Sequence, residues 1–306
     1  MSRFVAFLAM SGRMWTSGYI AVDWGTTNRR AWRVEDGRAV AEFEDECGIT
    51  SVAAGGFPAK VAEVRERLGP LPLAMAGMIG SNRGWVEVPY LPCPAGLPEL
   101  AGAMFAVPDE DAWIVPGLSF IEHGRGDVMR GEETQLFGAV ATGLAPADAI
   151  VCHPGTHNKW AAIEDGRITR FRTVMTGEMF NLLRQGSILK GWLDRAVEVD
   201  AAFEAGVADG LEGRTLTADL FGVRGGVLLG LRAAEEAASF VSGLLIGADV
   251  RLGQEEFGSG EVVVMGRPEL TRLYQAALQV AGRDSRAVDG EAAFLAGINA
   301  IVEQRA

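Results

Sequence analysis

The chain has 306 residues and a formal net charge of −12, from 28 Lys and Arg against 40 Asp and Glu. That acidic balance argues against a protein whose main function is to bind nucleic acid or an anionic membrane, because a protein needs a positively charged surface to bind either of them. A hydrophobic share of 48% with 22% charged residues is typical of a globular protein, and about 150 residues per domain predicts two domains.

The cysteine content favours a reducing compartment. Cys47, Cys93 and Cys152 are too few and too scattered for a disulfide framework, so we expect a cytoplasmic protein. No run reaches the roughly 18 apolar residues needed to cross a bilayer. Residues 1–18 are expected to form a disordered extension, since the apolar run at 4–10 is short for a signal sequence and lacks a clear cleavage site.

From Tyr19 onward, short apolar runs alternate with helical stretches, which is the pattern of a mixed α/β protein. The predicted strands are Tyr19–Asp23, Leu73–Met78, Trp113–Val115, Ala149–His153 and Glu261–Met265. The predicted helices are Pro58–Leu68, Glu132–Ala141, Glu178–Gln185, Leu231–Leu252, Pro268–Ala281 and Glu291–Val302. We place the lobe boundary at Gly143–Asp148, with a first lobe at 19–145 and a second at 146–306 whose last helix could pack back on the first.

The chain repeats itself once. The first copy reads VDWGTTNRRAW over residues 22–32 and then VEDGR at 34–38, and the second reads CHPGTHNKW over 152–160 and then IEDGR at 163–167. In each copy a strand enters Gly-Thr-x-Asn and a basic residue, and a Trp follows. An Asp-Gly pair then reverses the chain, as in two-residue hairpins whose central residues need positive φ. The shared order of these features favours duplication over chance.

The two Gly-Thr turns have the composition of an anion site. Such a turn presents consecutive backbone N–H groups and hydroxyls, and glycine lets a phosphate approach closely. Two turns, one per lobe, could grip a polyphosphate, and Asp23 at a strand end is placed to hold Mg²⁺ through water. The candidate phosphate donors are Thr26, Thr27, Thr156, Asn158 and Lys159. The alternative is a pair of ordinary hairpins with polar tips.

Several common fingerprints are missing from the sequence. There is no P-loop, no G-x-G-x-x-G that opens a helix, no H-E-x-x-H and no G-x-S-x-G. His123, His153 and His157 are too few for a metal cluster. Any nucleotide site therefore has to be built from other elements.

Together these segments resemble a known superfamily. The repeat and a late strand-Gly-helix at 262–278 resemble the actin-like ATPases and sugar kinases, in which two related α/β lobes close over ATP. The 2-dehydro-3-deoxygalactonokinase family is the particular resemblance, through AGMIGS at 76–81 with Trp85, PYLPCPAG at 89–96, DVMRGEETQ at 127–135 and HPGTHNKW at 153–160. The likeness runs from about Tyr19 to about Ile301 and implies two ribonuclease H-like lobes with an interlobe cleft.

The resemblance implies ATP and Mg²⁺ as cofactors. It makes Asp23–Thr27 and Gly155–Lys159 the phosphate turns, with Asp23 for the metal, and it brings Gly266 and the following helix to the adenosine. The implied nucleotide contacts are Gly25, Thr26, Thr27, Gly155, Thr156, His157, Asn158, Lys159 and Gly266.

The implied substrate is a 2-keto sugar acid, whose carboxylate needs a cation. Arginine is the best bidentate partner for a carboxylate, and Arg29, Arg83 and Arg130 are the candidates. Asn28, Ser81, Asn82 and Trp85 could add polar contacts and a ring platform. For each arginine, a solvated surface role is the alternative.

A kinase also needs a carboxylate that orients the attacking hydroxyl and takes its proton. Many sugar kinases of this superfamily carry an Asp at the start of a helix, where this sequence has Glu132 and Glu133, with Asp127 five residues earlier. The base stays open among these three acids, ranked Glu132, Asp127, Glu133. They could equally complement the helix dipole.

The resemblance therefore implies an ATP- and Mg²⁺-dependent kinase for the C6 hydroxyl of 2-dehydro-3-deoxy-D-galactonate, and the residues themselves support the handling of phosphate. Alternatives are a kinase for another sugar acid such as 2-dehydro-3-deoxygluconate, a non-catalytic sugar-sensing protein of the same fold, or an ATP hydrolase. The expected partners are the sugar acid and ATP, with no nucleic acid and no membrane, and a homodimer is an open option.

Overall fold

The computed structural model describes Trp15 and residues 18–305. The expected extension at 1–18, with its apolar run at 4–10, therefore lies outside the described residues except for Trp15 and Gly18. Trp15 is buried, and its ring centroid lies 5.7 Å from Tyr19 and 5.1 Å from Trp113. Among the described residues, no helix is long and apolar enough to cross a membrane.

The chain forms two compact units. The first holds the described residues up to Ala147, together with Glu164–Arg170 and the chain from Gly290 onward. The second holds Asp148–Ile163 and Phe171–Asp289.

The elements are numbered in chain order. The strands are β1 (Tyr19–Trp24), β2 (Arg29–Glu35), β3 (Arg38–Asp45), β4 (Leu73–Gly77), β5 (Leu91–Pro92), β6 (Phe105–Ala106), β7 (Ala112–Ile114), β8 (Leu118–Glu122), β9 (Arg125–Met129), β10 (Ala149–His153), β11 (Asn158–Glu164), β12 (Arg167–Val174), β13 (Val262–Gly266) and β14 (Ser285–Asp289). The helices are α1 (Phe57–Leu68), α2 (Leu97–Gly102), α3 (Glu132–Ala141), α4 (Thr176–Gly186), α5 (Ala201–Leu211), α6 (Leu216–Leu228), α7 (Ala237–Phe257), α8 (Pro268–Val280) and α9 (Gly290–Arg305).

The two main sheets share one plan. Their strand orders are β3-β2-β1-β4-β7-β6 and β12-β11-β10-β13-β14, and a small sheet has the order β5-β8-β9. In each main sheet an antiparallel meander of three strands is followed by parallel neighbours, β4 beside β1 and β13 beside β10. The predicted α/β architecture of two related lobes is confirmed at this level.

The Asp-Gly reversals have the backbone that the repeat predicts. Asp36 and Gly37 between β2 and β3 have φ of 48° and 70°, and Asp165 and Gly166 between β11 and β12 have φ of 50° and 70°. Two successive positive φ values match the right-handed twist of the flanking strands. The duplicated sequence thus folds into duplicated hairpins.

The central strands are buried on both faces. Every residue of β4 is buried, and Ile20 and Val22 of β1 are fully buried in the same core. In the second unit, Val262 and Val264 of β13 pack with Val250 of α7. Strands covered on both faces read as continuous apolar runs, which is why their positions were predicted well.

The predicted helix Leu231–Leu252 was wrong at its start. The helix α7 begins at Ala237, after a 3-10 turn at Ala234–Glu236. Gly230 has a φ of 68°, and the N–H of Leu231 donates to the carbonyl of Gly226 at 2.8 Å, which ends the preceding α6. The apolar composition of this stretch concealed the break between two helices.

The helices α3 and α9 of the first unit touch through glycine. A Cβ on Gly138 of α3 would lie 1.9 Å from the carbonyl oxygen of Ala293, and one on Gly297 of α9 would lie 1.9 Å from that of Thr134. Neither distance is possible without backbone movement. The close contact of α3 and α9 therefore requires both glycines.

We expect Gly297→Ala to lower the free energy of unfolding by about 1–3 kcal/mol, because the added methyl overpacks a helix contact. The matched control is Gly222→Ala in α6, where a Cβ would meet nothing within 4 Å, and it should gain about 0.5–1 kcal/mol. Urea unfolding midpoints of the two variants provide the measurement. A Gly297→Ala protein as stable as the wild type would contradict the tight contact.

Candidate active site

The first Gly-Thr turn closes the β1–β2 hairpin. Trp24 pairs with Arg29, so Gly25–Asn28 forms the connecting loop, and the N–H of Gly25 donates to the carbonyl of Asn28 at 2.9 Å. The N–H groups of the segment 48–50 donate to the carbonyls of loop residues 25–27 at 2.9–3.2 Å. These bonds fix the carbonyls on one side of the loop.

The N–H groups of this loop remain available. Among the described residues, the N–H groups of Thr26, Thr27 and Asn28 donate to no other group, and neither do the two threonine hydroxyls. Thr26 and Thr27 are exposed. Adjacent free donors of this kind can bind an anion.

The second Gly-Thr turn repeats this arrangement in the other unit. His153 pairs with Lys159, and the intervening loop has free N–H groups, within the described chain, at Gly155, Thr156 and His157. The start of α4 braces the loop, since the N–H of Glu178 donates to the carbonyl of Thr156 at 2.9 Å. The same glutamate is hydrogen-bonded to the His157 ring.

Two of the predicted phosphate donors, Asn158 and Lys159, have buried side chains. The Asn158 side chain is fully buried, and its Nδ2 lies 3.0 Å from both carboxylate oxygens of Asp249. The structure thus corrects the predicted role of Asn158 to a structural one, because this amide faces the interior. Lys159 is also nearly buried, with its Nζ 3.4 Å from the carbonyl oxygen of His157.

The sequence analysis overlooked Asp249, which lies on α7. Its buried carboxylate also accepts hydrogen bonds from Trp160 Nε1 at 2.7 Å, Thr176 Oγ1 at 2.5 Å and Tyr274 Oη at 2.5 Å. Burial raises its pKa, and these hydrogen bonds oppose the rise. The only signal in the sequence was an acid at the end of a mostly apolar stretch, residues 237–250 of this helix.

A cavity of about 620 Å³ adjoins the second loop, within the size range of ligand pockets. It is lined by Gly155, Thr156, Thr176, Gly177, Phe180, Asn181, Val197, Glu198, Ser242, Leu245, Ile246, Arg267, Glu269, Leu270, Arg272, Leu273 and Tyr274. Gly266 directly precedes this wall at the end of β13. A Cβ at Gly266 would lie 3.3 Å from the carbonyl oxygen of Pro154, so the strand end and the loop are in close contact.

Asp23 lies at the end of β1, beside the end of β4. A Cβ on Gly77 would lie 3.3 Å from Asp23 Oδ1. Burial raises the pKa of Asp23 to about 6; the positive charge of Arg30 lowers it, while the negative charge of Glu132 adds to the rise. Among the described residues, no group of three or more His, Cys, Asp or Glu side chains could hold a metal.

The three acids proposed as base differ in access. Glu132 opens α3, is half-buried, and accepts the N–H of Arg130 at 3.1 Å. Glu133 is fully buried, accepts the N–H of Gly131 at 2.7 Å, and has a pKa raised to about 8 by burial and by the charge of Glu132. Asp127 lies on β9, where its Oδ1 accepts the N–H of Val128 at 2.8 Å.

Arg29 has a role different from the predicted one. Its guanidinium is fully buried and donates to both carboxylate oxygens of Asp45, at 3.2 and 2.7 Å, and to the carbonyl of Lys60 at 3.0 Å. It also lies 5.0 Å from the Trp24 ring and 5.4 Å from the Phe43 ring. The structure corrects the prediction, because a guanidinium with these partners cannot also bind a sugar acid.

Arg130 is nearly buried beside the loop after β4. Its Nη2 donates to the carbonyl of Val88 at 2.6 Å, and its guanidinium lies 4.3 Å above the Tyr90 ring. Its Nε and Nη1 have no hydrogen-bond partner among the described residues. A Cβ on Gly80 would lie 2.8 Å from Nη1, which places this cation against the backbone of the loop.

The remaining predicted substrate residues lie on two loops of the first unit. Asn82 and Arg83 are exposed, whereas Ser81 is buried and its hydroxyl donates to the carbonyl of Met78 at 2.8 Å. Trp85 is half-buried and stacks on Phe57 with an interplanar angle of 14°. Asn28, on the phosphate loop itself, donates from Nδ2 to Glu44 at 3.1 Å.

Solved structures identify the class of this fold. The activator of 2-hydroxyisocaproyl-CoA dehydratase from Clostridium difficile, solved with ADPNP bound, has a TM-score of 0.52 over 94% of this chain and 95% of that one, at 11% identity. That likeness concerns the fold alone. With the two duplicated sheets, it shows that this chain shares the α/β fold of that activator.

Closer comparisons identify the family. The model of 2-keto-3-deoxy-galactonokinase matches residues 23–301. A 2-dehydro-3-deoxygalactonokinase from Escherichia coli K12 is 40% identical over 289 residues, which cover 94% of this chain and 98% of that protein. A crystal structure of a Sinorhizobium meliloti protein, provisionally named 2-dehydro-3-deoxygalactonokinase, has a TM-score of 0.87 and 38% identity over 92% of this chain and 97% of that one.

The chain belongs to the 2-keto-3-deoxy-galactonokinase family. This confirms the resemblance predicted from the segments at 76–81, 89–96, 127–135 and 153–160. Membership of a kinase family implies ATP as the phosphoryl donor.

The raised pKa of Glu133 predicts how stability depends on pH. The pKa is about 8 in the folded state, against 4.5 for a glutamate in an unfolded chain. Between these values the unfolded state ionises while the folded state keeps its proton, so stability falls as pH rises. We expect Glu133→Gln to remove this loss, so that its melting temperature relative to wild type rises between about pH 5 and 8.

The control for this experiment is Glu87→Gln, the same chemical change at an exposed position. Its melting temperature should follow that of the wild type at every pH. If the difference between Glu133→Gln and wild type did not change over this pH range, Glu133 would not be a buried neutral acid.

Proposed function

We propose that this protein transfers the γ-phosphoryl group of ATP to the C6 hydroxyl of 2-dehydro-3-deoxy-D-galactonate, with Mg²⁺. The name of the Escherichia coli relative supports the substrate. The observation that carries the phosphoryl chemistry is the pair of Gly-Thr loops, each with adjacent free N–H donors in the described chain. In phosphoryl transfer, positioning and electrostatic stabilisation do most of the work.

The adenosine occupies the cavity of the second unit. Ile246, Leu270 and Leu273 form its apolar walls. Gly266, which has no Cβ, allows the end of β13 to lie close to the second loop. Gly155 and Thr156 of the second loop line this cavity, so a nucleotide held there directs its phosphates to the free N–H groups of that loop. Backbone donors of this kind bind polyphosphate without any net positive charge on the protein.

Asp23 provides the protein carboxylate for Mg²⁺. This ion keeps several waters and is usually bound through one or two carboxylates together with the phosphates of the substrate. The donor set around Asp23 fits this pattern, since Glu132 and Glu44 contribute further negative charge nearby. When bound, the ion would neutralise charge on the transferring phosphoryl group.

Glu132 acts as the general base. Glu132 is half-buried at the start of α3, and its negative charge raises the pKa of Asp23. Glu133, in contrast, is fully buried, and its pKa of about 8 keeps it protonated near neutral pH. Asp127 belongs to a different sheet from Asp23, the small sheet of β5, β8 and β9. Glu132 therefore orients the C6 hydroxyl of the sugar acid and takes its proton as the phosphoryl group moves.

The sugar acid binds beside the loop after β4. Arg83 supplies an exposed guanidinium for the carboxylate, and Asn82 a neighbouring amide. Trp85 offers an aromatic ring whose orientation is fixed by its stacking on Phe57. Arg130 adds positive charge behind this loop, and two of its guanidinium nitrogens have no hydrogen-bond partner in the described chain.

The substrate is tested by measuring ADP release with a coupled assay over a panel of 2-keto-3-deoxy sugar acids. We expect Mg²⁺-dependent turnover with the highest kcat/KM for the galactonate compound. Faster turnover with the gluconate epimer would replace the proposed substrate. ADP release that does not depend on any sugar acid would indicate a hydrolase, and ligand binding without ADP release would indicate a sensing protein.

The base is tested by three matched amide variants, Glu132→Gln, Asp127→Asn and Glu133→Gln. We expect Glu132→Gln to lower kcat by about 10²–10⁴-fold with KM for both substrates nearly unchanged, as for loss of a general base. The other two should retain most of kcat. A kcat for Glu132→Gln close to that of the wild type, or a larger loss in either of the others, would refute the assignment.

Location and assembly remain predictions. The three cysteines are free thiols in the structure, as expected for a reducing cytoplasm. The possible homodimer can be checked by sedimentation against the monomer mass of 32.5 kDa.

A further inference from the structure

We infer that Asp249 is a positioning residue for nucleotide binding, which aligns the second Gly-Thr loop with the walls of the adjoining cavity. The inference rests on the proposed function, because it assigns that cavity to ATP. Asp249 itself is 1% exposed and does not line the cavity. Its influence on a ligand therefore has to pass through its hydrogen-bond partners.

These partners come from three separate elements. Asn158 and Trp160 lie on β11, Thr176 is the first residue of α4, and Tyr274 lies on α8. Asp249 on α7 accepts a hydrogen bond from each of the four side chains. One carboxylate thus joins four elements at a single buried point.

Each partner leads to a part of the proposed nucleotide site. Asn158 directly follows the loop that carries the free N–H groups. Thr176 precedes Gly177, where a Cβ would lie 2.4 Å from the carbonyl oxygen of Gly155, so α4 abuts that loop. Thr176 and Tyr274 themselves line the cavity. The position of the loop relative to both cavity walls therefore depends on Asp249.

The chemistry requires a carboxylate at this point. An ionised carboxylate only accepts hydrogen bonds, and its two oxygens offer about four acceptor sites. Here the Asn158 amide contacts both oxygens, and Trp160, Thr176 and Tyr274 also donate. An asparagine would turn an NH₂ group toward some of these donors and leave them unsatisfied. The variant Asp249→Asn keeps the size of the side chain and replaces one acceptor oxygen by an NH₂ donor.

We expect Asp249→Asn to raise the KM for ATP and the Kd for ADP by about tenfold, equivalent to about 1.4 kcal/mol, while the KM for the sugar acid stays near the wild-type value. Titration calorimetry with ADP alone measures binding independently of turnover. The matched control is Val250→Ala, which truncates a fully buried side chain of the same helix. It should lower the melting temperature and leave the Kd for ADP unchanged.

A second variant tests whether the effect passes through Asp249. Thr176→Val removes one hydroxyl and keeps the shape, and we expect it to raise the Kd for ADP about threefold in the wild type. In the Asp249→Asn background it should add less than this factor, because the remaining amide oxygen no longer accepts from all of the donors. The Thr176→Val variant also keeps the test open if Asp249→Asn fails to fold.

The outcomes separate this inference from the proposed function. Wild-type protein that binds no ADP would refute the proposed nucleotide site itself. Wild-type binding with an unchanged Kd for ADP in Asp249→Asn or Thr176→Val would refute the positioning role alone. The positioning role would also be refuted if Thr176→Val raised the Kd for ADP by the same factor in both backgrounds. Equal increases in the KM for ATP and the KM for the sugar acid in Asp249→Asn would refute it as well.

Discussion

The close approach of two backbones at one edge of each sheet is the constraint on which the candidate site depends. A parallel neighbour, β4 or β13, ends at the same edge as the strand that enters the Gly-Thr loop. Its last residue therefore meets the backbone at the start of that loop. Gly77 and Gly266 occupy this position with positive φ, and a Cβ would lie 2.9 Å from the carbonyl oxygen of Trp24 or 3.3 Å from that of Pro154. Only glycine satisfies both the space and the conformation.

The duplicated frame carries different chemistry in its two copies. In the first unit Asp23 is the penultimate residue of β1, and its carboxylate lies near the charge of Glu132. In the second unit His153 and Pro154 occupy the corresponding positions, so the strand carries no carboxylate there. The acid of this unit, Asp249, is buried and accepts hydrogen bonds from side chains. Backbone N–H groups are therefore the donors at this edge of the sheet. Both copies therefore retain the Gly-Thr loop. In the proposed function, the first copy provides the carboxylate for the metal and the second adjoins the nucleotide cavity. In the proposed function, the backbone donors of the loops would bind polyphosphate without a net positive charge on the chain.

Local features could be predicted from the sequence, and long-range ones could not. The Asp-Gly turns were predictable because two adjacent residues alone determine their φ values. Arg29 was assigned to the substrate because a sequence does not show which face of β2 packs on Trp24 and Phe43. Asp249 was missed because its partners on β11 and α4 lie 73 to 91 residues away along the chain. The residues around it show only an apolar helix.

The central claim is that the free N–H groups of both Gly-Thr loops bind the phosphates of ATP. Hydrogen–deuterium exchange tests it most directly, because an amide that donates to phosphate exchanges more slowly. The measurement compares the protein alone with the protein containing Mg²⁺, a non-hydrolysable ATP analogue and the sugar acid. The account predicts slower exchange at residues 26–28 and at 155–157. Unchanged exchange in both loops, with the analogue shown to be bound, would contradict it.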